Sequence, residues 1–150
     1  DGQLQGWSRF DGTERNRRSL MAIKQDVKLL NDNIVKYTVE ETLKRIMARR
    51  ELHADAIDYF LPHYSSEFFR ERLAVGLANA GLPIAQERWF TNLTRKGNTG
   101  AASIFIMLEE LFNSGGLRSG QRLLCYVPES GRFSSAFMQL TVVGQDGGNA

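Results

Sequence analysis

The chemistry-bearing side chains of this 150-residue sequence are few: two histidines, one cysteine and a short polar stretch ahead of an apolar run. His63 follows the apolar segment "AIDYFLP", and Pro62 fixes its approach. A helix is expected from two residues beyond it. In α/β sheets the carboxyl end of a strand is where ligands usually bind, and a histidine there can donate a hydrogen bond or relay a proton near neutral pH. A packed, hydrogen-bonded core histidine fits the same pattern. The polar stretch is "TRKGNTGAAS", Thr94–Ser103, which opens "IFIMLEELF". Gly97 and Gly100 permit turn geometry that other residues resist. Asn98 can cap the helix or project its carboxamide into a pocket. Gly100, Ala101 and Ala102 are small enough for the helix start to approach another backbone closely. Its free N–H groups favour an anion or a developing oxyanion. An Asn-capped helix packed on a sheet accounts for the same residues. The stretch is not a Walker loop, because Lys96 precedes the glycines; a phosphate-binding helix start in a small-molecule α/β module remains as an alternative. Cys125, mid-strand in "LLCYV", has no basic neighbour in sequence and reads as a small core residue. His53, in "ARRELHAD", reads as a surface residue at a helix end.

Composition bounds the setting for these groups. Hydrophobic residues make up 42% and charged residues 24%, which suits one soluble domain with a real core. The net charge of +2 gives no reason to expect a nucleic-acid partner. Residues 1–50 hold 11 Lys+Arg against 7 Asp+Glu, a surplus of four, while the remainder holds 8 against 10. That imbalance suits an acidic partner or a solvated helix face. A single cysteine excludes an internal disulfide framework and a cysteine-rich zinc site, and points to a reducing, cytoplasmic setting. No run of 18 apolar residues exists, so no membrane span is expected. Neither a cofactor nor a metal is expected, and no signal peptide is visible. The first residue is Asp1 rather than Met, as in a fragment or a processed product.

The elements that must position His63 and Asn98 follow from hydrophobic periodicity. Residues 1–20 are polar, with two Asp-Gly pairs, and predict an irregular lead-in. Steps of three and four through Val35, Val39, Leu43 and Ile46 predict a helix from about Met21 to Arg50, started or interrupted near Asn31–Asn33. Glu40–Lys44 and Glu41–Arg45 are spaced for i,i+4 pairs. Ile57 to Leu61 suit a short buried strand. Ser65 or Ser66 would cap a second helix, with Glu67 in its first turn, closed by Gly81 and Pro83. "RWFTNL" predicts a strand or extended loop, and Thr99 to about Asn113 a buried helix. "RLLCYV" and "FMQLTVV" predict two strands of a hairpin around "PESGR". The tail, 144–150, is expected to be flexible. Helices alternating with buried strands mean a layered α/β domain.

Taken together, "PHYSSEFF" and, 35 residues beyond His63, Asn98 in "GNTGAASIFIMLEEL" resemble the C-terminal half of the β-ketoacyl-acyl-carrier-protein synthase III family, condensing enzymes of the thiolase fold. The family order is a strand ending in His-Gln-Ala-Asn, then Gly-Asn-Thr-Ser-Ala-Ala-Ser opening a buried helix, then two closing strands around a glycine-containing turn. "GNTGAAS" matches six of the seven positions, whereas only His63 is kept from the first motif. The resemblance covers about residues 21–143. It implies the C-terminal half of a duplicated fold: a mixed sheet with a buried helix on one face and helices on the other. It also implies a Cys–His–Asn triad, with His63 and Asn98 holding a thioester carbonyl during decarboxylative condensation, and with the nucleophilic cysteine in an N-terminal half outside this chain. Gly131, in the closing turn, is expected to lend a backbone N–H to the acyl oxyanion. The implied partners are an acyl carrier protein or a coenzyme A thioester, with a homodimer for the full-length protein. An acidic carrier would dock on basic residues near the pocket mouth: Arg70 and Arg72, with Lys44, Arg45, Arg49 and Arg50 as further candidates. Tyr64, Ser65 and Ser66, and the closing turn Pro128–Phe133, depart from the family pattern. A non-catalytic partner subunit of the same fold is the alternative those departures favour.

Overall fold

The computed structural model describes residues 26–144, together with Thr13 and Arg17. The expected lead-in otherwise lies outside the described residues, as does the tail beyond Gly144. Gly144 itself donates its N–H to Ser119 Oγ at 3.1 Å.

Helix α1 (Val27–Val35) begins at Asp26, whose carboxylate accepts the Leu29 N–H at 2.9 Å, the usual use of an aspartate in a cap. The helix runs through a π-turn at Lys36–Glu40 into α2 (Glu41–Met47). The interruption expected at Asn31–Asn33 is thus displaced, since those residues sit inside α1, and α2 stops short of Arg50. The insertion shows in the hydrogen bonds, where the Glu41 N–H reaches back five residues to the Lys36 carbonyl. The anticipated Glu–Lys and Glu–Arg pairs do not form. Glu40 accepts from Asn79, and Arg45 donates to the Glu41 carbonyl. Exposed pairs gain too little to compete with such alternatives. An i,i+4 pair does form between Lys28 and Asp32, at 2.6 Å.

Strand β1 (Tyr59–Pro62) pairs in parallel with β2 (Arg122–Glu129), which pairs antiparallel with β3 (Ser134–Thr141). The sheet order is β1-β2-β3. Beyond β1, Trp89 makes a single parallel bridge to Phe60, and the Phe90 N–H donates to the Phe60 carbonyl at 2.8 Å. The extended piece expected at "RWFTNL" is this bridge, after which the chain turns into the short helix α4 (Leu93–Lys96).

Side chains alternate across a strand, and the two faces of the sheet bury two clusters. Phe60, Leu124 and Tyr126 pack with Val39 of the π-turn, Leu43 of α2, and Leu73 and Leu77 of α3 (Arg70–Ala80). Leu61, Leu123 and Cys125 pack with Ile104, Met107 and Leu111 of α5 (Ser103–Asn113). This is the layered mixed-sheet arrangement expected. In one respect α5 differs. It buries a single stripe, and Phe105 and Phe112 stand 67% and 74% exposed on its outer side.

The ends of α3 are set by backbone rather than by side-chain caps. A 3-10 turn, Glu67–Phe69, leads in, and Ser66 makes no capping hydrogen bond. At the other end Gly81 takes φ +88°, and Leu82 N–H returns to the Leu77 carbonyl at 2.9 Å, a Schellman closure that favours glycine. Midway, α3 touches α1 at Gly76, where an added Cβ would collide with Val35 Cγ1.

Candidate active site

His63 directly follows β1, and its N–H donates to the Tyr126 carbonyl at 2.8 Å, prolonging the parallel ladder. This bond fixes the residue at the carboxyl end of the strand. The side chain is half-buried, and burial pushes the imidazole pKa below its ordinary value. Desolvation penalises the charged form, so the ring is neutral at pH 7 and has one N–H to donate.

Asn98 stands on the turn between α4 and α5. Its Oδ1 accepts the Gly100 N–H at 2.9 Å, which leaves the carboxamide N–H donors for other use. Gly97 and Gly100 have φ of +76° and +60°. An added Cβ at either would meet nothing within 4 Å. The glycines therefore serve the left-handed backbone, and the expected close approach at Gly100–Ala102 is not found among the described residues. Ser103 closes the turn, accepting the Thr99 N–H at 3.2 Å and lying 2.9 Å from Thr99 Oγ1.

His63 and Asn98 line the same cavity, of about 750 Å³. Its polar side also holds Glu129 and Ser130. Its apolar side is formed by Leu30, Ile34 and Val35 of α1 and by Phe69 and Leu73 across from them. A neutral imidazole and a carboxamide facing one apolar space are two uncharged donors, suited to an oxygen that gains negative charge.

Gly131 behaves differently. Glu129 accepts the Gly131 N–H at 2.7 Å and the Arg132 N–H at 2.9 Å, so the amide expected to face an oxyanion is engaged by the protein's own carboxylate. Phe133, at φ +51°, completes the turn.

The two arginines expected at the pocket mouth are tied to the scaffold. Arg70 donates to Gln86 Oε1 at 2.7 Å and to Tyr64 Oη at 3.3 Å, with its guanidinium 5.4 Å from the Trp89 ring. Arg72 donates to the Asn31 carbonyl at 3.0 Å and covers the Phe68 ring at 4.2 Å, yet remains exposed. Lys44, Arg45, Arg49 and Arg50 are exposed on α2 and the loop after it, and His53 is exposed beyond them, past the helix end. Cys125 is fully buried in β2, and burial pushes its thiol to about 11; it is a core residue.

Sequence reasoning missed the support behind Asn98. Glu110 of α5 accepts from the buried Asn92 Nδ2 at 2.7 Å and pairs with Arg95 at 2.6 Å. The Asn92 hydrogen bond, followed by Arg95, pulls its carboxyl below the usual range. Arg95 thus clamps α4 onto α5, on either side of the Asn98 turn, and is not a free cation for a phosphate.

Comparison with known proteins agrees with this architecture. The family model described as 3-Oxoacyl-[acyl-carrier-protein (ACP)] synthase III C terminal matches residues 47–136. The β-ketoacyl-[acyl-carrier-protein] synthase III of Streptococcus pyogenes serotype M5 (strain Manfredo) is 28% identical over 102 residues, covering 68% of this chain and 30% of that protein. Among solved structures, 3-oxoacyl-(acyl carrier protein) synthase III from Pseudomonas aeruginosa PAO1 superposes with a TM-score of 0.61 at 22% identity, over 81% of this chain and 36% of that one. The synthase III of Thermus thermophilus gives 0.60 at 24% identity, over 81% and 36%. The chain thus spans about a third of the length of these relatives. It belongs to the 3-oxoacyl-acyl-carrier-protein synthase III C-terminal family, with a thiolase-like fold.

Proposed function

We propose that this chain is the C-terminal part of a 3-oxoacyl-acyl-carrier-protein synthase III-like acyltransferase that catalyses decarboxylative Claisen condensation of an acyl thioester with a malonyl-carrier protein. The observation that carries this reading is the shared cavity of His63 and Asn98. The acyl group is held as a thioester on a cysteine outside this chain. His63 and Asn98 donate to the thioester carbonyl oxygen of the malonyl group. As the bond to its carboxylate breaks and carbon dioxide leaves, the electron pair passes into an enolate whose oxygen those donors stabilise. The α-carbon then attacks the acyl-cysteine carbonyl, and the cysteine thiolate departs. A histidine kept neutral by burial donates without adding a charge to the site. The substrates are an acyl carrier protein and an acyl-carrier or coenzyme A thioester, the full-length protein is a homodimer, and the isolated chain is inactive because it lacks a nucleophile. Of the two docking arginines, exposed Arg72 is better placed than Arg70 to meet an acidic carrier.

The test is a condensation assay of the longer protein with malonyl-carrier and an acyl donor. His63→Ala and Asn98→Ala should each lower the rate by about 10²–10³. Full activity in both variants would show the roles to be wrong. One observation favours a second reading, a non-catalytic partner subunit: the Gly131 N–H is already taken by Glu129. A cysteine at a strand-to-helix turn in the sequence preceding Asp1 decides for the enzyme, and its absence for the partner.

A further inference from the structure

The helix along the cavity contains a feature that the condensation chemistry does not call for. In the π-turn between α1 and α2 the Lys36 carbonyl accepts from the Glu41 N–H, five residues on. Such a turn inserts one residue and loosens neighbouring carbonyls, so it persists only where other groups satisfy them, and it is frequent at functional sites. Here hydroxyls do so. Thr42 Oγ1 donates to the Tyr37 carbonyl at 2.9 Å. Ser135 Oγ, from β3, donates to the Thr38 carbonyl at 2.6 Å. Thr38 Oγ1 donates to the Ile34 carbonyl at 2.6 Å and lies 2.5 Å from Tyr126 Oη of β2. Because the one proton of Thr38 is on Ile34, the Tyr126 phenol is the donor to Thr38. Burial raises the pKa of that phenol and keeps it protonated.

Thr38 is fully buried and joins one helix to two strands. The groups it joins form the cavity. Ile34 and Val35, just before the π-turn, are its apolar wall, and Tyr126 and Ser135 also line it. The carbonyl of Tyr126 holds the His63 N–H. One buried hydroxyl therefore couples the rotation of α1 to the strand ends that bear His63. From the opposite side Gly76 leaves Val35 no room to retreat.

We propose that Thr38 is a positioning residue that sets the place of the Ile34–Val35 wall relative to His63, and with it the length of apolar chain the cavity takes. The wall's position stands on the hydrogen bonds alone; the identity of the chain as that of a thioester rests on the proposed function.

The test uses this chain. Methyl and amide NMR spectra follow Ile34, Val35 and the His63 N–H in the native protein and in Thr38→Val, Thr38→Ser and Tyr126→Phe. Each protein is then titrated with S-alkyl N-acetylcysteamine thioethers, from ethyl to dodecyl. Thr38→Val and Tyr126→Phe should shift the Ile34 and Val35 methyls and change the ratio of long-chain to short-chain Kd by about threefold to tenfold, the worth of one buried hydrogen bond. Thr38→Ser, which keeps the hydroxyl, should stay near the native protein in both measurements. Unchanged methyl positions and an unchanged length preference in folded Thr38→Val overturn the proposal, as does Thr38→Ser behaving like Thr38→Val. If Thr38→Val does not fold, Tyr126→Phe, which removes only a hydroxyl, decides in the same way. If the methyls move as expected and the native protein binds no thioether, the wall-positioning role stands, while the chain-length role and the thioester reading of the cavity both fail.

Discussion

The Gly131 N–H lies 2.7 Å from Glu129 Oε1, two residues back along the same turn. A backbone donor beside the candidate site is thus held by an internal anion, and an incoming oxyanion must displace it. In the longer protein, Glu129→Ala should raise kcat, toward the roughly 10²-fold that one oxyanion-hole donor supplies. In this chain it should shift the Gly131 and Arg132 amide resonances. Shifted amides without any gain in rate would mean that the turn does not serve the reaction.

The burial of His63 sets a pH dependence. Its folded pKa lies below 6.5. Above 6.5 the ring is neutral in both folded and unfolded chains. As pH falls below 6.5 the unfolded chain takes up the proton first, so stability is lost through the window between the unfolded and folded values. A His63 NMR titration should give a midpoint below 6.5, and His63→Gln should flatten that part of the stability profile. A midpoint above 6.5 would contradict the neutral-donor role.

The α1–α3 contact makes its own prediction. Gly76→Ala places a methyl against Val35 and should cost about 1–3 kcal/mol in urea unfolding, as overpacking does. Combining it with Val35→Ala should recover part of that loss. Additive losses would mean that the two helices do not meet there.

Phe105 and Phe112 are seven residues apart, hence on one side of α5, and both are exposed. Phenylalanines left bare in this way favour association. The isolated chain should self-associate in sedimentation velocity, and the double change Phe105→Ser, Phe112→Ser should reduce that without loss of helix by circular dichroism.

Much of this was legible in the sequence. The stripes through Leu43, Leu73 and Ile104 gave the helices, the apolar runs at Phe60 and Leu124 gave the strands, and "GNTGAAS" gave the turn at Asn98. The π-turn was not legible, because the apolar stripe through Val35, Val39 and Leu43 keeps ordinary steps of four across it. Nor was the Thr38–Tyr126 bond, which links residues 88 apart. The Ser66 cap was expected from residue type, but Glu67 takes the Tyr64 hydroxyl and a 3-10 turn leads in instead. The occupied Gly131 amide depended on a rotamer of Glu129, which composition does not determine.

The bridge from Trp89 to Phe60 makes the two margins of the sheet unequal. On the β1 side, the Phe90 N–H already fills the Phe60 carbonyl and the indole packs edge-on to the Phe60 ring, 5.2 Å away. A further strand is blocked there. Along β3, eight residues keep their outer N–H and C=O groups outside any ladder among the described residues. Growth of the sheet by strand addition, whether in assembly or in misassembly, is therefore one-sided and starts from β3.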